Sequence, residues 1–273
     1  MKQKHVAIIN DVTGYSRCSV AASLPILSVM KIQCSFIPTA ILSANTNVPG
    51  FIMKDFTENM SPFIQHWKNL NLQFDSIGTG YLGSPDQAKI VIDFIKHFKK
   101  QNTLIFVDPV MGDNGVLYSA ITKELVESMK ALVTHAQVIT PNLTEACALL
   151  DIHYDDFIIN YDNLKNLCDK LTSLGPQQIV ISGIPMGNQI LNFVYDHQKI
   201  TTLSVDKIGE SRTGCGDVFA SIILGSLTNH LSFQDSVQKA VYFCKKAIQF
   251  TTDQGLPINR GLCFEEYLYE LGE

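Results

Sequence analysis

The sequence predicts an α/β chain: a three-layer αβα sandwich on a mainly parallel central sheet with an antiparallel edge. Three observations predict it. Short apolar runs rich in β-branched residues alternate with segments of helical period along most of the 273 residues. The strand-like runs are apolar throughout rather than alternating, as when helices cover both faces of a sheet. After Gly183 two strand-like runs follow one another with no helix between them.

The strands, in order, are "VAIIN" from Val6, "FIPTAIL" from Phe36, "DSIGTG" from Asp75, "TLIFVDPV" from Thr103, "AQVITPN" from Ala136 and "QIVISGI" from Gln178. "QILNFVYDHQKITTLSV" then reads as two antiparallel strands joined at Asp196–His197. Helical stripes lie between. Ile90, Val91, Phe94, Ile95 and Phe98 share one face, with Lys89, Asp93, Lys96 and Lys99 outside it. Leu125, Met129, Leu132 and Val133 form another stripe. Three more helices are expected at Gly216–Asn229, Ser232–Thr251 and Phe264–Leu271. No repeat or linker divides the chain, so 1–273 reads as a single domain, a length that suits one large α/β unit.

Composition excludes several classes. The net charge is −5 and no basic stripe exists, which argues against nucleic acid as a partner. No apolar run approaches the ~20 residues that span a bilayer, and "MKQKHVAIIN" has too short an apolar stretch for a signal peptide. The seven cysteines form no C-x-x-C pair and their number is odd, as expected of reduced thiols in a cytoplasmic protein. The seven histidines show no metal-ligand spacing and read as structural or surface residues.

In open parallel sheets, ligands bind beyond the carboxyl ends of the strands. Those ends carry Asp11, then Ser43 to Thr46, then Tyr81, then Asp108 with Asp113, then Thr140, Asn142 and Glu145, and finally Ser182 and Gly183. Any one of them alone would be an ordinary turn. Several on one rim make a site. Asn142 and Glu145 are spaced i, i+3 at a helix start, which suits a capping box and, alternatively, oxygen ligands for Mg²⁺. "RTGCGDVFAS", Arg212 to Ser221, opens the next helix. Its glycines suit an anion-holding turn, backed by the helix N-terminus. A carboxylate at Asp217 would repel phosphate, so the alternatives are a helix cap or a base that takes a proton from an attacking hydroxyl.

These segments, with "NDVTGYSRCS", "TAILSANT", "TGYLGS", "VDPVMGDNG" and "ITPNLTEA" in the same order, resemble the ribokinase-like superfamily nearly end to end. Within it the chain resembles the pyridoxal/pyridoxamine (vitamin B6) kinases, and in overall wording the bacterial pyridoxamine kinases. The resemblance implies ATP-dependent phosphorylation of the 5′-hydroxyl of pyridoxal, pyridoxamine or pyridoxine in B6 salvage. It implies Asp217 as catalytic base and the amides of Gly214, Cys215 and Gly216 as anion hole. Asp11, Ser43, Thr46 and Tyr81 fall at the vitamer end. Asp108, Asp113, Thr140, Asn142, Glu145, Ser182 and Thr213 fall at the ATP end, with Asp108 and Glu145 toward Mg²⁺. A homodimer is also implied, and a monovalent-cation requirement is left open.

Three departures stand out. Cys215 replaces the family's usual Thr, Asp11 stands where many members carry Ser, and "SANTN" replaces the commoner "SNHTG". The rival reading is a hydroxymethylpyrimidine (phosphate) kinase of thiamine synthesis. Such enzymes usually carry Cys where this chain has Asp217. Sugar kinases fit less well, since no Gly-Gly dipeptide occurs and "NDVTG" is expected to run straight into a helix. A non-catalytic binding protein on the same fold is the other alternative, and the retained Asp217, Gly214 and Gly216 weigh against it.

Overall fold

The computed structural model describes residues 2–272. In chain order the elements are β1 (Lys4–Thr13), α1 (Val20–Val29), β2 (Ile32–Leu42), β3 (Met53–Asp55), α2 (Thr57–Asn69), β4 (Ser76–Thr79), α3 (Pro85–Phe98), β5 (Leu104–Val107), β6 (Gly112–Asp113), β7 (Val116–Leu117), α4 (Lys123–Val133), β8 (Val138–Ile139), α5 (Leu143–Leu149), α6 (Tyr161–Thr172), β9 (Gln178–Met186), β10 (Gln189–Asp196), β11 (Lys199–Asp206), α7 (Cys215–Thr228) and α8 (Phe233–Asp253). Helix starts follow local chemistry. Ser84, Thr122, Asn160 and Ser232 each accept a backbone N–H of the first turn of α3, α4, α6 and α8.

Nine strands form one sheet in the order β11-β10-β9-β8-β5-β4-β1-β2-β3. The five pairings from β9 through β8, β5, β4 and β1 to β2 are parallel. The expected antiparallel edge is β10–β11, whose turn residues His197 and Gln198 both have positive φ, as a tight hairpin requires. A second antiparallel edge, β3 against β2, was not expected, because a three-residue strand carries too little pattern to read.

Buried side chains sort by strand parity onto two faces. On β1, Ala7 and Ile9 join a core covered by α2 to α6, while Val6 and Ile8 join one covered by α1, α7 and α8. This is the predicted three-layer sandwich. Each fully buried Ile, Leu or Phe in it contributes about 1.5–3 kcal/mol.

The sequence reading needs correction at several ends. β1 runs past Asn10 to Thr13, and residues 14–19 intervene before α1. The expected last helix is a 3-10 helix, Glu265–Leu271. Between Asp151 and Asn160 the chain makes a short 3-10 turn, Tyr154–Asp156, whose Tyr154 ring packs beside Gly115 of the β6–β7 hairpin.

Candidate active site

β1 lies between β2 and β4, both parallel to it, so connections leave it in both directions. That reversal opens a crevice at the carboxyl end. There β1 is bulged: Asn10 pairs with Pro38, but Val12 pairs with Ile41. The bulge re-aims the strand end, and both Asn10 and Asp11 are buried. Burial pushes the Asp11 carboxyl up, against a hydrogen bond from Thr13 Oγ1 at 2.7 Å. Asn10 Oδ1 accepts the backbone N–H of Asp11 at 2.9 Å and of Tyr81 at 2.8 Å, and its Nδ2 donates to Asp217 Oδ1 at 3.2 Å.

Gly214 is the N-cap residue of α7, with φ 80°. A Cβ there would collide with the Arg17 carbonyl oxygen, so both the backbone conformation and the close approach demand glycine. Gly216 differs: a Cβ there would meet no protein atom within 4 Å. Packing therefore does not require glycine at that position. The three-amide hole expected from the sequence needs one correction. The Cys215 N–H donates to the Arg212 carbonyl at 3.2 Å and closes the turn, which leaves the amides of Gly214 and Gly216 free among the described residues.

Asp217 is the third residue of α7, and the N-cap position that the sequence offered it is held by Gly214. The cap reading therefore fails. Its carboxyl points instead at Asn10 and, with Asp108 and Thr79, lines a cavity of about 20 Å³. Burial pushes its pKa up to about 6. Arg212, also buried, fastens the turn to the C-terminal segment by donating from Nη1 to the Leu256 carbonyl at 2.9 Å.

On the far side of the crevice, Asp108 follows β5 and accepts from Thr140 Oγ1 at 2.8 Å. Burial pushes Asp108 up to about 7. Asn142 and Glu145 form a full capping box: Asn142 Oδ1 accepts the Glu145 N–H, and Glu145 Oε2 accepts the Asn142 N–H, both at 2.9 Å. Glu145 Oε1 also accepts the Met111 N–H at 3.0 Å, and Asn142 Nδ2 donates to the Gly112 carbonyl at 2.7 Å. Burial, then the nearby Asp108, raises the Glu145 carboxyl well above its usual range. Asp113 sits at the exposed hairpin, where it accepts from the Asn114 N–H and Nδ2. Ser182 stands beside Asn142 across a single parallel bridge.

No group of three or more His, Cys, Asp or Glu side chains that could hold a metal ion occurs among the described residues. The donors at this end are oxygens, two of them carboxylates. That set suits a Mg²⁺ that keeps waters and rides on phosphate oxygens rather than one caged by protein.

At the other end, the Tyr81 backbone is held from both sides, since its carbonyl accepts from Thr39 Oγ1 at 2.9 Å. Ser43 Oγ accepts the Ile52 N–H at 2.8 Å, and Thr46 is exposed. Asn47 Nδ2 donates to Thr213 Oγ1 at 3.3 Å, so the 43–50 loop rests on the glycine turn. The structure thus brings Asp11, Tyr81, Asp108 and Asp217 to one crevice and leaves Asp113 and Thr46 at its rim.

The sequence signature of the phosphomethylpyrimidine kinase family matches residues 21–262. The chain belongs to that family. In this phosphomethylpyrimidine kinase family member the match takes in Asp108, Glu145 and Asp217, while Asn10 and Asp11 lie ahead of it. The chain is 24% identical over 245 residues to the thiamine biosynthetic bifunctional enzyme of Arabidopsis thaliana, covering 86% of this chain and 44% of that protein. It is 30% identical over 188 residues to the pyridoxal kinase of the same plant, covering 65% and 58%. The chain therefore spans about half the length of these curated relatives. A Bacteroides thetaiotaomicron protein provisionally assigned as a phosphomethylpyrimidine kinase, solved in a form with pyridoxal, is 39% identical with a TM-score of 0.94 over 100% of this chain and 96% of that one.

Sequence reasoning missed Asn10, Tyr118 and Cys244. Asn10 carried a signal, because it directly precedes Asp11 at a strand end. Tyr118 carried none: burial raises its hydroxyl, and Glu145, Asp113, Asp108 and Asp217 all add to the rise, which puts the ring near four carboxylates. Cys244 lies 29 residues beyond Cys215 in the chain, and only the packing of α7 on α8 joins them.

Proposed function

We propose that the chain transfers the γ-phosphoryl group of ATP to the 5′-hydroxyl of a B6 vitamer: pyridoxal, pyridoxamine or pyridoxine. The observation that carries this reading is the placement of Asp217. It stands in the first turn of α7, directly after two free glycine amides and beyond the N-cap position, and faces the end of β1. The amides of Gly214 and Gly216, with the α7 N-terminus behind them, receive the transferring phosphoryl charge. Asp217 accepts the proton of the attacking hydroxyl. A pKa near 6 leaves it ionised at neutral pH and close enough to neutrality to take a proton in the transition state.

Asp11, Tyr81, Ser43 and Thr46 hold the acceptor ring at the β1–β4 crevice. Thr140, Asn142, Ser182 and Thr213 line the way to the nucleotide, with Asp113 at its outer rim. Mg²⁺ supplies charge neutralisation on the phosphates. Asp108 and Glu145 are the residues that would hold it, with Glu145 less available as a direct ligand because its oxygens already accept backbone N–H groups. We further propose a cytoplasmic homodimer, with the exposed Ile41, Ile52 and Met53 at the β2–β3 edge as its apolar contact. No helix among the described residues is long and apolar enough to cross a membrane.

The family match and the thiamine-pathway relative favour one second reading, phosphorylation of hydroxymethylpyrimidine or its phosphate. One assay separates the two. ATP consumption is measured with pyridoxal, pyridoxamine, pyridoxine and hydroxymethylpyrimidine side by side. Turnover is expected with the B6 vitamers. Turnover with hydroxymethylpyrimidine alone would replace the first reading by the second, and turnover with none would make the chain a binding protein.

A further inference from the structure

We propose that Asn10 is a positioning residue that aims the Asp217 carboxylate at the acceptor and ties it to the Tyr81 loop. The proposal rests on Asp217 being the base.

The Asn10 amide has no freedom of orientation. Two backbone N–H groups, those of Asp11 and Tyr81, converge on one side-chain atom at 2.9 and 2.8 Å. Only the oxygen can accept both, so the NH₂ group must face Asp217 Oδ1, 3.2 Å away. Gly80 closes the remaining side, since a Cβ there would lie 2.6 Å from Cγ, Oδ1 and Nδ2 of Asn10. Gly80 is itself pinned by its N–H to the Ile9 carbonyl at 2.9 Å.

Three elements therefore meet on one amide: the bulged end of β1, the loop after β4, and the first turn of α7. The Tyr81 end belongs to the acceptor side of the crevice, so the loop that receives the ring and the group that receives the proton share one fixed reference. Without that donor the Asp217 side chain would lose its side-chain partner and its register with the acceptor. Misplacing a reacting group by even ~1 Å costs about a hundredfold in rate.

The test is a double-mutant cycle read as kcat, KM and thermal midpoint. Asn10→Asp keeps the oxygen that holds the Asp11 and Tyr81 N–H groups but loses the donor. It is expected to lower kcat at least about tenfold with the KM for ATP within about threefold, the split expected when a transition-state contact is lost. In Asn10→Asp/Asp217→Asn the hydrogen bond is re-formed with donor and acceptor exchanged. The thermal midpoint should recover, while kcat stays at the level of Asp217→Asn alone. Wild-type kcat in Asn10→Asp overturns the proposal, as does a loss that multiplies with that of Asp217→Asn. If Asn10→Asp does not fold, Gly80→Ala, whose Cβ displaces the amide, takes its place for the kcat arm: kcat should fall in the single variant and stay at the level of Asp217→Asn in the double variant, with no recovery of the thermal midpoint. Asp217→Asn with near-normal turnover fails the base reading itself, and that result is visible in the single variant.

Discussion

Cys215, at the start of α7, and Cys244, midway along α8, are neighbouring thiols where the two helices pack together. That contact holds Cys215 below the ordinary thiol range, while burial pushes Cys18 and Cys34 up to about 12 and Cys147 to about 11. Thiolates are the reactive form. Iodoacetamide at pH 7.5 should therefore label Cys215 ahead of these three, with loss of turnover, as followed by peptide mass spectrometry. Cys215→Thr leaves the backbone turn intact. It should keep kcat within about threefold and abolish the sensitivity.

Asp217→Asn should affect activity and stability in opposite directions. Loss of a general base lowers kcat by about 10²–10⁴, with ATP affinity little changed. In the wild type, kcat/KM should fall as pH drops below about 6, where the base becomes protonated. Stability changes the other way. Between roughly pH 4 and 6 the folded chain holds a proton at Asp217 that the unfolded chain has released, so folding is weakened as pH rises through that window. Asp217→Asn removes this cost. Its thermal midpoint should exceed the wild type at pH 8, and the gap should close toward pH 4.

The two glycines of the turn should separate folding from function. Gly214→Ala meets both a positive φ and the Arg17 carbonyl, and should cost at least about 1–3 kcal/mol in denaturant unfolding. Gly216→Ala meets open space. It should fold as well as the wild type or gain up to about 1 kcal/mol. Its methyl group should lower kcat by blocking phosphate approach. Normal turnover in Gly216→Ala would remove that amide from the anion hole.

Glu145→Ala leaves the buried N–H groups of Met111 and Asn142 without their acceptors. Each orphan costs about 1–3 kcal/mol. The loss should therefore appear in unfolding experiments carried out without Mg²⁺. Unchanged stability together with a raised Mg²⁺ requirement would mean that Glu145 acts mainly as a ligand.

Much of this could be read from local pattern. The six strands, the β10–β11 hairpin (expected to turn at Asp196–His197, one residue before the observed His197–Gln198) and the start of α7 follow from periodicity and turn chemistry, which neighbouring residues carry among themselves. The β6–β7 hairpin and β3 escaped notice because elements of two or three residues have no period. "DNG" at Asp113–Gly115 is the only hint of the hairpin, and Asp113 reads from the sequence as a residue of the ATP end.

The sequence by itself determined which residues could do chemistry and on which rim they would lie, because a strand-to-helix order dictates where strand ends point. It could not decide whether Asp217 caps a helix or faces a substrate, since both readings use the same residue at the same spacing. The tertiary structure decided what surrounds that carboxyl. The bulge in β1 carries Asn10 to Asp217 across 207 positions of chain, and burial against the sheet raises that carboxyl toward neutrality. Pairing and desolvation depend on what packs against a residue, and the residue's own neighbours in sequence do not record it.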